Sequence, residues 1–288
     1  MNLSTSLPEN LPWAEHQAFL LLDGAACSDL PARLKKLDPT ASSTVLYDCP
    51  PFTTLRDISP LLVAVQQPDE PIIQFYLDHA HEEWGVLLFS LESGNAVAQH
   101  LRKLLIVELP EGLPVLLRVA DASVARTLFA SADQRLFGPL SCVVTADSVA
   151  ADWQRHAPRL AVCPDLPTPY RLSAEQNSAL EHNDRRRVLL ELDAHLLRFF
   201  PERWGGETVA QRWPMLEQLE AEAGALGMSC ASELFHYANV MASLDGSPLD
   251  QHPHINRLLH APSLQSPGER VALAADLAHQ WAIQRSHS

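Results

Sequence analysis

The segment PVLLRVADASVARTLF, residues 114–129, places two charged side chains where an apolar strand passes into a helix. Arg118 lies near the end of the apolar run, and Asp121 follows three residues later. A guanidinium keeps its proton in a protein, so a half-buried arginine must find a charged or polar partner. The pair could therefore serve catalysis, ligand binding or the fold.

Two histidine-containing segments offer candidate metal ligands. Residues 81–83, His-Glu-Glu, begin like the zinc motif His-Glu-x-x-His, but Gly85 occupies the position of the second histidine. His252, His254 and His260 lie in an irregular, proline-containing segment without a second group of ligands. Catalytic zinc usually needs three protein ligands, so the sequence predicts no metal site and no cofactor.

Cys49 is a candidate nucleophile if folding brings a histidine close to it. The chain has no G-x-S-x-G nucleophile elbow and no glycine-rich phosphate-binding loop. A buried, inert thiol is the more common role of a free cysteine. A cytosolic hydrolase that uses His, Asp and Cys groups nevertheless stays open as the alternative function.

Composition narrows the classes of partner. The chain has 288 residues, of which 47% are hydrophobic, and a formal net charge of -14. Such an acidic surface repels nucleic acid and anionic lipid. Neither a signal-peptide pattern nor an apolar run long enough for a membrane span occurs, and the five cysteines form no C-x-x-C pair. We therefore expect a cytoplasmic protein with reduced thiols that neither inserts into membranes nor binds nucleic acid.

Helical and extended segments alternate in the first half of the chain. Apolar strands are predicted at residues 18–24, 59–66 and 84–91, with helices between them, and a hairpin is predicted around the turn at residues 110–112. A hairpin inside such an alternation favours a sheet that is not wholly parallel. The sequence therefore predicts an α/β or α+β N-terminal lobe with a mixed sheet.

Four prolines interrupt regular structure between residues 156 and 172 and mark a predicted linker. Before it, residues 1–16 are assigned to an N-terminal leader segment and residues 17–155 to the α/β domain. After it, residues 173–288 are predicted to form an all-α lobe.

Apolar spacing predicts the inner face of the last helix, which begins with a capping arrangement at Ser266 and Pro267. Leu273, Leu277 and Trp281 recur at intervals of four residues. These three side chains are therefore expected to face the core of the helical lobe.

Six short motifs occur in an order that resembles a known family. Together they are similar to the adaptor, or effector-chaperone, domain encoded beside VgrG spike genes in bacterial type VI secretion clusters, over about residues 17–153. Members often have proline after the aspartate that is Asp121 here, whereas this chain has Ala122. The motifs are LLDGA (21–25), SPLLVAV (59–65), WGVLLFS (84–90), AQHLRKLLIVELPEG (98–112), VLLRVAD (115–121) and FGPLSCVV (137–144).

The resemblance implies a function without enzymatic activity. Such adaptors bind a cognate toxic effector before secretion, keep it soluble, and help to load it onto the VgrG spike protein. They are expected to stay in the donor cytoplasm and to need no cofactor.

Within this interpretation, Arg118, Asp121 and Asp23 have structural roles. Asp121 is expected to cap the helix at residues 122–132, where a carboxylate accepts backbone N–H bonds. Arg118 is expected to brace that turn or a neighbouring carboxylate, with Asp23 as the candidate.

Two tryptophans are candidate partner-binding residues. Trp204 precedes a Gly-Gly pair in a predicted loop, where an aromatic side chain can anchor a partner, and Trp213 follows shortly after. The alternative is a tryptophan folded inward over the end of the helical lobe.

Overall fold

The computed structural model describes residue 3 and residues 6–286. Parts of the predicted leader (residues 1, 2, 4 and 5) and of the predicted C-terminal lobe (residues 287 and 288) therefore lie outside the described residues. Contacts divide the chain into two units after Asn183. Among the helices described, none combines the length and the apolar character needed to cross a membrane.

All strands of the described residues lie in the first unit. They are β1 (Gln17–Leu22), β2 (Ser43–Val45), β3 (Leu61–Val65), β4 (Gly85–Ser90), β5 (Ile106–Glu108), β6 (Pro114–Leu116), β7 (Leu140–Asp147), β8 (Asp152–His156) and β9 (Tyr170–Arg171). The helices are α1 (Leu30–Leu37), α2 (Pro71–Asp78), α3 (Gly94–Lys103), α4 (Ala122–Ala130), α5 (Ala174–Phe199), α6 (Pro201–Trp204), α7 (Val209–Ala225), α8 (Ala231–Leu244), α9 (Pro253–His260) and α10 (Pro267–Ser286).

The main sheet has the order β2-β3-β1-β4-β7-β8, and every neighbouring pair is antiparallel. Its central strands are buried on both faces. In β1, Phe19 and Leu21 pack into one apolar cluster, while Leu20 and Leu22 pack into a second cluster on the opposite face. Burial on both faces explains why these strands are continuous apolar runs in the sequence.

A small second sheet has the order β6-β5-β9. Strands β5 and β6 form the predicted antiparallel hairpin, whereas β9 joins β5 in parallel. The parallel pairing thus lies in the small sheet. The predicted class, an α/β or α+β region with mixed pairing followed by a helical region, is confirmed.

The predicted linker at residues 156–172 contributes to the first unit. Leu166 and Tyr170 are buried in its core, and β9 pairs with β5. The division by contacts falls after Asn183, inside helix α5, whereas the sequence places the boundary before residue 173. The predicted domain limits stay predictions.

The second unit is helical, and the predicted inner face of α10 is wrong. Leu273 and Leu277 are exposed, while Val271, Ala274 and Ala278 are buried. Helix α10 packs mainly against α8. Small alanine side chains let two helix backbones approach closely, so they fill this contact and turn the leucines outward. Trp281 lies between these extremes, half-buried beside the core.

Candidate partner-binding surface

The Arg118 guanidinium binds Asp23 at the end of β1. Its Nη2 lies 2.6 Å and its Nε 3.2 Å from Asp23 Oδ2. The other oxygen, Oδ1, accepts N–H bonds from Ala25 and Ala26 in the turn that follows the strand. The Asp23 side chain is 4% exposed and that of Arg118 is 36% exposed. The carboxylate is thus held from both sides and ties the end of β1 to the segment after β6.

Asp121 is the N-cap of α4. Its Oδ1 accepts hydrogen bonds from the backbone N–H of Ser123 at 2.9 Å and of Val124 at 3.3 Å. The next residue, Ala122, donates its N–H to the carbonyl oxygen of Glu83 at 2.9 Å. Proline has no N–H, so a proline at this position could not make this bond.

Both candidate tryptophans lie in the second unit. Trp204 is 5% exposed, and its Nε1 donates to Asp193 Oδ1 at 2.8 Å. The Arg212 guanidinium holds the same carboxylate in two bonds of 2.6 Å. Trp213 is half-buried against the core of the unit. Trp204 is therefore folded inward and offers little surface to a partner, and a partner-binding role of either residue stays a prediction.

Cysteine and metal chemistry find little support in the described residues. Burial raises the pKa of the Cys27, Cys142 and Cys163 thiols, which lowers the fraction of nucleophilic thiolate at neutral pH. Cys49 donates to the Leu46 carbonyl oxygen at 3.8 Å. Within the described residues no group of three His, Cys, Asp or Glu side chains could hold a metal ion.

A groove of about 580 Å³ opens in the first unit beside β9 and the beginning of α5. Polar side chains in its wall form a connected network. Tyr170 Oη donates to Asp133 Oδ2 at 2.8 Å and accepts from Gln176 Nε2 at 2.8 Å. Arg135 closes a bidentate pair with Asp133 at 2.6 and 2.8 Å. Gln176 also forms a reciprocal capping box with Ser173 at the start of α5.

The network fixes the charges of the groove at neutral pH. Its hydrogen bonds from Arg135 and Tyr170 hold the pKa of the Asp133 carboxyl below its usual range, with Arg135 the larger cause. Burial raises the pKa of Tyr170 to about 12. The carboxylate is therefore charged and paired while the phenol stays neutral. Such a groove can hold polar groups of a ligand, but the network contains no free base for catalysis.

The small sheet adjoins this groove and exposes apolar side chains. Ile106 and Leu116 face each other across β5 and β6, and Leu113 lies in the turn between the strands. Their exposed fractions are 36%, 48% and 60%. We call these three residues the hairpin face. At its border Arg171 Nη2 binds Glu108 Oε2 at 2.8 Å, and Arg171 also lines the groove, so the two features form one surface.

The sequence located parts of this surface but not the surface itself. The hairpin of β5 and β6 was predicted. Asp133, Arg135 and Tyr170 were missed, because Tyr170 lies more than thirty positions after the other two and no motif links them. The aromatic β-strand residue Tyr170, placed within a proline-rich stretch, was the one available signal.

Comparisons with known proteins find a family match within the first unit. Residues 18–137 match the family described as "Domain of unknown function (DUF4123)". These residues form a DUF4123 domain. The match confirms the family resemblance carried by the strand motifs. Arg118, Asp121 and the hairpin face all lie within the DUF4123 domain, while the groove extends beyond its C-terminal limit.

Similarity to a named relative extends beyond the DUF4123 domain. The chain is 29% identical over 286 residues to "Accessory protein VasW" of Vibrio cholerae serotype O1. The alignment covers 97% of this chain and 93% of VasW. It therefore includes the helical unit as well as the DUF4123 domain. No solved structure matches the chain.

Proposed function

We propose that the protein is an accessory protein of the type VI secretion system that binds a cognate toxic effector and helps to load it onto the VgrG spike. The DUF4123 domain and the similarity to VasW along nearly the whole chain support an accessory role in this secretion system. Effector binding and loading are the finer part of the proposal. The protein performs them in the cytoplasm and without catalysis.

The observation that carries the finer part is the hairpin face beside the groove. Exposed apolar side chains that adjoin one another, bordered by polar groups, are typical of protein interaction sites. The neighbouring charged groups are already paired with one another, as in Glu108–Arg171 and Asp133–Arg135. The surface therefore presents apolar area and hydrogen-bonding groups rather than an unpaired catalytic group.

Co-expression with the product of the toxin gene adjacent to this gene tests the proposal. One component carries an affinity tag, and the purified product is analysed by size-exclusion chromatography with light scattering. We expect a stoichiometric complex that captures VgrG from a second preparation, whereas the toxin alone captures less. The proposal fails if the toxin is soluble, secreted and active in cells that lack this protein.

A further inference from the structure

We propose that the free edge of β6 binds an extended, apolar segment of the effector as an additional strand of the small sheet, an inference that rests on the proposed function. Strand β6 is terminal in the order β6-β5-β9, so within the part of the chain that the structure describes it has a neighbouring strand on one side only. Its other side is available for a strand from a partner, as in β-strand addition.

The hydrogen-bonding groups of this edge follow from the pairing of the hairpin. The Leu117 N–H donates to the Leu105 carbonyl oxygen, so residue 117 points its backbone groups towards β5. In an antiparallel pair the direction alternates with each residue. The N–H and C=O of Leu116 and the C=O of Pro114 therefore point outward. Among the described residues these groups have no hydrogen-bond partner.

Side chains on the same strand specify the chemistry of the occupant. Leu116 and Ile106 lie on the exposed side of the sheet, where alternate side chains of an added strand would lie next to Leu116. The charged groups on this side, Glu108 and Arg171, neutralise each other. An uncharged, apolar segment fits this surface better than an acidic or basic one, since a charged segment would lose hydration without gaining a free counter-charge.

The edge is short and contains Pro114, which has no N–H to offer. An added strand can therefore use Pro114 C=O, Leu116 N–H and Leu116 C=O, and further contacts must come from side chains. Reversible binding of one short segment is consistent with these few bonds, and release of an effector requires such reversibility. A second copy of this chain, paired edge to edge, is the alternative occupant.

Leu116→Pro tests the inference because it removes an outward N–H and leaves the inward bonds of residues 115 and 117 in place. The probe is the adjacent toxin, and its affinity is measured by biolayer interferometry on the full chain. Leu91→Thr is the control, since Leu91 is an exposed leucine of the same unit that directly follows β4 of the main sheet. We expect L116P to weaken binding at least tenfold and L91T to leave it unchanged.

Hydrogen exchange of the parent chain gives a result that does not depend on folding of the variant. The Leu116 amide should exchange more slowly in the toxin complex than in the free protein. The inference is refuted if the complex forms, L116P binds the toxin as tightly as the parent does, and the Leu116 amide exchanges as fast in the complex as in the free protein. The proposed function stands in that case. If the parent forms no complex, both are refuted. A dimer of the parent that L116P dissociates, with toxin binding unaffected, identifies a second copy as the occupant and overturns the inference.

Discussion

Replacing Arg118 by alanine separates a structural role from a binding role. The substitution removes both guanidinium bonds to Asp23 and leaves a carboxylate that is 4% exposed, with only the turn amides as donors. Breaking a fully buried ion pair costs about 3–5 kcal/mol, whereas a surface pair contributes about 0–1 kcal/mol. Because Arg118 is 36% exposed, the expected loss lies between these limits, at about 2 kcal/mol.

Unfolding of the first unit reports this loss directly. A change of about 2 kcal/mol corresponds to a Tm lower by about 4–8 °C for a unit of this size. The control is Arg56→Ala, which breaks the pair with Asp48, because more than half of each side chain in that pair is exposed. It should change the stability by less than about 0.5 kcal/mol. Asp23→Asn completes a double-mutant cycle with Arg118→Ala.

The reasoning is refuted if Arg118→Ala unfolds like the parent, or if the cycle gives no coupling between Arg118 and Asp23. A variant that is as stable as the parent but no longer binds the toxin assigns Arg118 to the interface. A variant that is less stable and, once folded, binds like the parent supports the structural role.

Three further predictions concern buried groups. Arg212→Met should destabilise the second unit by about 3–5 kcal/mol, because it leaves Asp193 buried without its counter-ion. Chemical denaturation measures this loss, and a value below about 1 kcal/mol would contradict the prediction. Burial lowers the pKa of His100, so the unfolded chain takes up this proton at a higher pH than the folded one. The free energy of unfolding should therefore fall as the pH drops below the usual histidine pKa of 6.5. His100→Gln should make this dependence on pH less steep in denaturation measured from pH 7.5 to 5. An unchanged pH dependence would show that His100 does not contribute to it. Gly138→Ala should lower the Tm, since the alanine Cβ would lie 2.3 Å from the His100 ring and the backbone φ at this position is +49°. A Tm equal to that of the parent would show that the ring can move aside.

Strands that are buried on both faces were accessible to sequence analysis, because a short, unbroken apolar run between turn residues is typical of a strand without a solvent-exposed face. β1, β3 and β4 were found in this way. β2, β8 and β9 were not, since they are short or carry polar residues and depend on a neighbouring strand for their conformation. The residues of a short segment do not show which neighbouring strand it pairs with, and that pairing is what stabilises such strands.

Contacts between side chains distant in sequence were predictable only where both residues follow strands of the fold. Asp23 and Arg118 both follow strands, and the structure places their atoms 2.6 Å apart. The outward leucines of α10 show the opposite case. Hydrophobicity ranks Leu273 above Ala274, but the close approach of α8 selects the smaller side chain for the contact. A helical periodicity identifies an apolar stripe without saying which neighbour requires close packing.

The two edge strands of the main sheet, β2 and β8, affect how readily the protein aggregates. β2 has three residues, and β8 carries Asp152, Arg155 and His156 along its five positions. A short or charged edge strand pairs poorly with the edge strand of another copy, so it does not promote aggregation into fibres. The two edge strands of the largest sheet therefore disfavour edge-to-edge association between copies of this protein.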